Sequence, residues 1–207
     1  VEGLLIAFCG LDGSGKTTQI SMLTDWFKHK QTKVLNTKQP TDYYRKDPRV
    51  RDYLDNGICP DMEALAMLAA ADRKWHLKAE IEPALKKGIH VITDRYLYSS
   101  IAFFKARGIE PNLIKKLNYG VRRPDVIFFL DINPELTLQR ISERDGSRTK
   151  YEERSVDIFI KVRDAFLQDA LPEEAFILNA AEPPLRIHEK IVNTVKQKMT
   201  GGVISGF

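Results

Sequence analysis

One stretch near the N-terminus constrains this chain more than any other: Gly10-Leu11-Asp12-Gly13-Ser14-Gly15-Lys16-Thr17-Thr18. It matches the pattern G-x-x-x-x-G-K-[ST], with Gly10, Gly15, Lys16 and Thr17 at the defining positions. The run before it, residues 4–9, is short and apolar and reads as a buried strand. The run after it has helical spacing, with Ile20, Leu23, Trp26 and Phe27 on one face. A glycine-rich loop between a strand and a helix is a phosphate site. The glycines let backbone N–H groups turn inward, and the helix N-terminus adds positive potential. Lys16 is placed to reach the β- and γ-phosphates of a nucleotide, and the Thr17 hydroxyl to ligate Mg²⁺.

The bulk properties narrow the function classes. A chain of 207 residues suits one α/β domain. No apolar run approaches the roughly 18 residues of a membrane span, and no signal-peptide pattern opens the sequence, so no membrane association is expected. Two cysteines, Cys9 and Cys59, make neither a disulfide framework nor a metal site. They point to a reducing cytoplasm. The net charge of +4 is spread over mixed charges with no basic block interleaved with aromatics, which argues against nucleic-acid binding. Surplus Arg and Lys also suit an enzyme that handles polyanionic nucleotides.

Strand and helix patterns alternate, which predicts a five-stranded parallel sheet with helices on both faces. The strands are expected at 4–9, 33–37, 90–93, 126–130 and 176–178. Helices are expected at 16–30, 61–87, 97–106, 111–117, 134–143, 152–170 and 183–198, three of them opening at Pro111, Pro134 and Pro183. Residues 1–200 then form a single domain, with a lid at about 141–152 and a flexible tail at 201–207.

Ligands collect at the carboxyl ends of parallel strands. The third strand ends in Thr93-Asp94-Arg95-Tyr96. Asp94 is where a phosphate-loop enzyme places a carboxylate near Mg²⁺, and Arg95 offers a planar fork for a substrate phosphate. On the long helix, Met62, Ala66, Ala69 and Arg73 share one face, small residues ending in a cation. The charged, glycine-containing stretch from Arg140 to Glu153 is long enough to act as a flap, whose Arg144 and Arg148 would neutralise a transferring phosphoryl group while closure excludes water. Each feature has a plain alternative: a helix cap, a packed helix face, a solvated loop. Together with the phosphate loop they point to phosphoryl transfer.

From about residue 4 to 198 these stretches resemble the thymidylate kinases. The carriers are the loop 10–18, Ala70-Ala71-Asp72-Arg73, Asp94-Arg95-Tyr96 with Ser99-Ser100 and Ala102-Phe103, and Arg140, Arg144, Arg148 and Tyr151-Glu152. The resemblance implies a P-loop NTPase fold, the substrate pair ATP and dTMP, Mg²⁺, and a homodimer. It places Asp12 on the acceptor's 3′-hydroxyl, Arg73 on its base and Arg95 on its phosphate. Ala69, Ser99, Phe103 and Tyr151 fall at acceptor-binding positions. Arg140 would pack on the adenine, with the loop after Leu178 on its other side. Gly13-Ser14 leaves the phosphate loop without an arginine, so Arg148, or else Arg144, would serve catalysis with Lys16 and Arg95.

Three departures mark the acceptor side. The family's base-stacking Phe is Ala69 here, and Phe103, Phe104, Trp75 or Tyr98 are the candidates to replace it. The family's Arg-Glu-Pro-Gly segment is Lys38-Gln39-Pro40-Thr41, which removes a phosphate-binding Arg; Lys38, Arg45, Arg49 or Arg51 are candidates to compensate. A Gln that often follows the aromatic at Phe103 is Phe104. These departures keep open a related nucleoside-monophosphate kinase with a different or modified pyrimidine acceptor. A nucleotide-operated switch is the distant alternative, since no Asn-Lys-x-Asp motif is present.

Overall fold

A computed structural model describes residues 1–145 and 155–201 of the chain, the side chains of residues 144 and 145 excepted. Five strands form one all-parallel sheet: β1 (Leu5–Gly10), β2 (Val34–Lys38), β3 (His90–Asp94), β4 (Val126–Asp131) and β5 (Phe176–Asn179), in the order β2-β3-β1-β4-β5. The central strand β1 is buried along its whole length, which is why it reads as an unbroken apolar run. The edge strands β2 and β5 are only partly covered.

The helices are α1 (Lys16–His29), α2 (Asp42–Arg45), α3 (Pro48–Asn56), α4 (Met62–His76), α5 (Glu82–Lys86), α6 (Leu97–Ala106), α7 (Pro111–Leu117), α8 (Pro134–Asp145), α9 (Val156–Ala165) and α10 (Pro184–Met199). Helices α1 and α10 pack together as one layer, and α6 packs with α9, α4 and α7 in the other. The core between them holds Phe8, Phe128 and Phe129, each at most 1% exposed. The Phe128 ring lies 5.2 Å from Phe8 and 5.8 Å from Phe176, linking three strands on one face of the sheet.

The five strands and the P-loop NTPase architecture are as expected, with strand ends shifted by a residue. Two helices were not anticipated. Residues 41–56, which show no apolar periodicity, form α2 and α3. Their signals were local caps: Thr41 accepts from the Tyr43 N–H, and Asp47 accepts from the Arg49 N–H ahead of Pro48. The helix expected at 61–87 is α4 and α5 joined by a π-helical turn at Leu77–Ile81. Asp61 caps its start through the Glu63 and Ala64 N–H groups. The helix expected at 152–170 is α9 followed by a π-helical turn at Phe166–Ala170, its first residues falling outside the described ones. Most of the expected lid, with Arg148 and Tyr151, lies outside the described residues, as do the Arg144 side chain and residues 202–207 of the tail.

The Phe128→Ala variant should lose about 3–5 kcal/mol of stability, because the ring is fully buried between two others. A chemical-denaturation midpoint measures it.

Candidate active site

The strand β1 ends at Gly10 and the chain turns through the phosphate loop into α1. Gly13 and Gly15 hold φ values of 83° and 91°, the left-handed region that suits glycine. A Cβ on Gly13 would also meet the Thr137 carbonyl oxygen at 2.9 Å, so α8 sits directly behind the loop. Lys16 is 6% exposed and folds back, its Nζ donating to the carbonyls of Leu11 at 2.7 Å and Gly10 at 3.2 Å. Burial, and then the charge of Arg95, lower its pKa to about 8.

Gly13 through Thr18 line one cleft together with Gln19, Asp94 and Arg140. Its far wall is the segment after β5, with Ala180, Glu182 and Pro184, and Ile187 on α10. Arg140 Nη1 donates to the Ala180 carbonyl at 3.3 Å, and Gln19 Nε2 to the Pro184 carbonyl at 2.9 Å, so that segment is tied to α8 and α1 at once. Gly10 and Leu11 sit behind the cleft, and their carbonyls hold Lys16. Asp94 Oδ1 is buried in this cleft without a hydrogen-bond partner among the described residues, and Thr17, exposed, lines the same cleft. An orphaned carboxylate oxygen near a hydroxyl and a phosphate loop suits a hydrated Mg²⁺, which takes few protein ligands. Among the described residues no cluster of three or more His, Cys, Asp or Glu offers an all-protein metal cage.

A second cleft opens on the other side of Asp12, which lines both. Arg95 adopts a left-handed φ of 68°, a conformation that costs a non-glycine residue energy and recurs at functional sites. Its backbone N–H is anchored on the Phe8 carbonyl at 2.8 Å. The side chain reaches back to the phosphate loop, Nη1 to the Gly10 carbonyl at 3.0 Å and Nη2 to Asp12 Oδ1 at 2.8 Å. It lies 4.7 Å above the Phe103 ring.

The remaining wall comes from two segments. Helix α6 supplies Ser99, Ser100, Phe103 and Phe104, and Arg107 follows it. The segment after β2 supplies Pro40, Tyr44 and Arg45, with Leu54 from α3. Arg45 Nε donates to the Pro40 carbonyl at 2.9 Å. Burial, and then the like charge of Arg95, lower the Arg45 pKa, so the two guanidiniums share one site. Lys38, Arg49 and Arg51 instead pair with Asp42, Asp47 and Asp55 outside the cleft. Of the four candidates for the missing phosphate-binding cation, only Arg45 lines it.

Two expected acceptor residues do not reach this wall. Ala69 is 1% exposed in the core, and Arg73, also 1% exposed, lies behind the wall. All three Arg73 nitrogens are engaged: Nε with Gln39 Oε1 at 3.0 Å, Nη1 with Asn118 Oδ1 at 2.6 Å and Nη2 with Ser100 Oγ at 2.5 Å. Burial lowers its pKa to about 10. Its neighbour Asp72 accepts from the Thr41 N–H at 2.8 Å and from the Thr41 hydroxyl. These adjacent residues thus pin both walls of the cleft to α4. Of the candidate stacking rings, Phe103 and Phe104 line the cleft, whereas Tyr98 is buried away from it and Trp75 is 73% exposed in a groove beside Tyr43. Sequence reasoning missed Tyr44, Leu54 and Arg107. Only the caps at Thr41 and Asp47-Pro48 mark the 41–56 segment as ordered.

A sequence model of thymidylate kinase matches residues 8–191. A probable thymidylate kinase of Pyrococcus horikoshii is 39% identical over 206 residues, covering 97% of this chain and all of that protein. A probable thymidylate kinase of Thermococcus gammatolerans is 36% identical over 209 residues, covering 97% of this chain and all of that protein. A thymidylate kinase of Brachyspira hyodysenteriae is 32% identical over 198 residues, with 95% of each chain covered.

The depressed Lys16 pKa has a consequence for binding. Near pH 8 the free protein holds Lys16 only partly protonated, and an anion placed on it restores the charge. Nucleotide affinity should therefore fall as pH rises through about 8, and binding at that pH should take up a proton. Calorimetric titration of ATP in buffers of different ionisation enthalpy reads that proton directly.

Proposed function

The chain belongs to the thymidylate kinase family, and from that membership we propose how its two clefts carry out the reaction. It is an ATP-dependent nucleoside-monophosphate kinase that converts dTMP to dTDP. The observation that carries the mechanism is the meeting of both clefts at Asp12, with Lys16 and Arg95 on either side. The sibling kinase with another acceptor and the nucleotide switch have no support among the relatives, which carry the thymidylate kinase name.

ATP occupies the cleft lined by Gly13 to Thr18, with its adenine against Arg140 and the 180–184 segment. Loop N–H groups and Lys16 hold the β- and γ-phosphates. Thr17 and Asp94 would hold Mg²⁺, which would offset the negative charge that develops during transfer. The acceptor lies with its phosphate on Arg95 and Arg45, its sugar near Asp12, and its base in the slot of Phe103, Phe104, Tyr44 and Leu54. A base stacked on such a ring gains about 1–3 kcal/mol by analogy with single-strand binders, and this slot replaces the ring missing at Ala69. The acceptor phosphate is already ionised, so no protein nucleophile or base is required. Positioning and charge neutralisation supply the rate. Arg148, or else Arg144, neutralises the transferring group from the lid.

Lys16→Ala should abolish transfer with the fold intact by circular dichroism. Arg45→Ala should raise the acceptor KM on the order of tenfold or more, the loss of a charge-assisted hydrogen bond, with the ATP KM unchanged. Steady-state ADP release with dTMP, dUMP and dCMP tests both, and a dTMP preference is the expected result. A variant at Lys16 that keeps normal turnover would sink this mechanism.

We also propose that the chain works as a homodimer in a reducing cytoplasm. Trp75 on α4 and Tyr43 on α2, 73% and 86% exposed, line one groove, Met67 on α4 is 50% exposed, and both cysteines are free. Trp75→Glu should shift the sedimentation mass toward the monomer.

A further inference from the structure

The acceptor cleft rests on a buried relay that its walls conceal. Gln39 has no exposed surface. Arg73 Nε donates to its Oε1 at 3.0 Å, and its Nε2 lies 3.1 Å from His76 Nδ1. Only one assignment of protons satisfies this chain. A guanidinium has no acceptor, so the Gln39 oxygen must face Arg73. The Gln39 amide N–H₂ therefore faces His76, and Nδ1 must be the bare, accepting nitrogen. The ring proton sits on Nε2, which lies 2.9 Å from Thr37 Oγ1 and 3.1 Å from Glu80 Oε2. At the other end Arg73 Nη2 holds Ser100, a residue of the cleft wall, and Gln39 itself precedes Pro40, another.

We propose that Gln39 is a positioning residue of the acceptor site, whose amide keeps Arg73 on Ser100 only while His76 Nδ1 is unprotonated. A proton on Nδ1 sets N–H against N–H. Flipping the amide relieves that contact but turns its N–H₂ onto Arg73, so the clash moves to the buried fork. Either way one anchor of the cleft wall is released, while the ATP cleft, on the far side of Asp12, is left alone. The groups facing His76 are Glu80 on the turn after α4, neutral Thr37 on β2, neutral Gln39 after it and, through Gln39, Arg73 on α4. The consequence for acceptor binding rests on the reading of the cleft given above.

Gln39→Glu makes the test, being nearly the same shape. Both oxygens of that side chain accept, so the Arg73 bond survives and His76 Nδ1 must carry a proton instead. Nitrogen-15 NMR of the histidine rings in the free protein, assigned by loss of the signal in His76→Gln, should show bare Nδ1 and protonated Nε2 in the wild type. At the same neutral pH it should show a protonated Nδ1 in Gln39→Glu. Acceptor KM, measured with dTMP at saturating ATP, should rise about tenfold in the wild type once the pH is low enough for the ring signals to show a proton on His76 Nδ1, the loss of one hydrogen bond to a charged group. In Gln39→Glu that rise should vanish or reverse, with the ATP KM unmoved in both proteins. A proton on Nδ1 in the wild type at neutral pH overturns the relay even if no variant folds. Identical acid limbs in wild type and Gln39→Glu overturn its role in acceptor binding. The expected tautomer in a protein that does not phosphorylate dTMP would uphold the relay and overturn the functional reading of the cleft.

Discussion

Among the described residues four cations are drawn wholly or partly into the interior, and the architecture around them follows from the cost of doing so. Lys16, Arg73 and Arg95 are each less than a tenth exposed, and Arg45 is buried enough for desolvation to lower its pKa. An unpaired buried charge is expensive, so each must be surrounded by oxygen. Asp12 pairs with Arg95, while the other partners are uncharged: the Gly10, Leu11 and Pro40 carbonyls and the side chains of Gln39, Asn118 and Ser100. Carbonyls and amides orient a cation without neutralising it. The result is positive potential at the two clefts, where the proposed reaction places phosphate charge.

The two clefts differ in how they are built. The nucleotide cleft grows from one contiguous loop, and its geometry follows from glycine φ values and the start of α1. The acceptor cleft is assembled. One wall is α6 and the other is the segment after β2, and α4 ties them together through Asp72 on Thr41 and Arg73 on Gln39 and Ser100. This arrangement explains how the cleft stands without a ring at position 69: Ala69 packs in the core, and Phe103 and Phe104 face the cavity. It also gives the departures around residues 38–42 a common sense. With Lys38 turned outward to Asp42, Arg45 is the cation of this segment that lines the cleft, and Gln39 supplies a neutral acceptor and donor at once.

Much was legible in the chain before any coordinates. The five strands, the phosphate loop and the carboxyl ends that bear Asp94 and Arg95 all come from short-range pattern: apolar runs, glycine spacing, a charged pair after a strand. Helices α2 and α3 were not legible from periodicity, because four and nine residues are too short to show an apolar stripe. Their caps alone announced them. The π-helical turn at Leu77–Ile81 left no mark either, since it interrupts hydrogen bonding without interrupting the apolar pattern.

Residue spacing alone carries the phosphate-loop half: a loop whose residues are neighbours in the chain holds its own geometry, so its chemistry can be read from the sequence. The tertiary structure decided the acceptor half. Arg73 meets Gln39 across 34 residues and Asn118 across 45, and Arg95 meets Asp12 across 83. Local preferences do not encode such distances. Whether an arginine faces a ligand or stands behind the wall depends on which buried oxygens reach it first, and that is settled only when the helices pack.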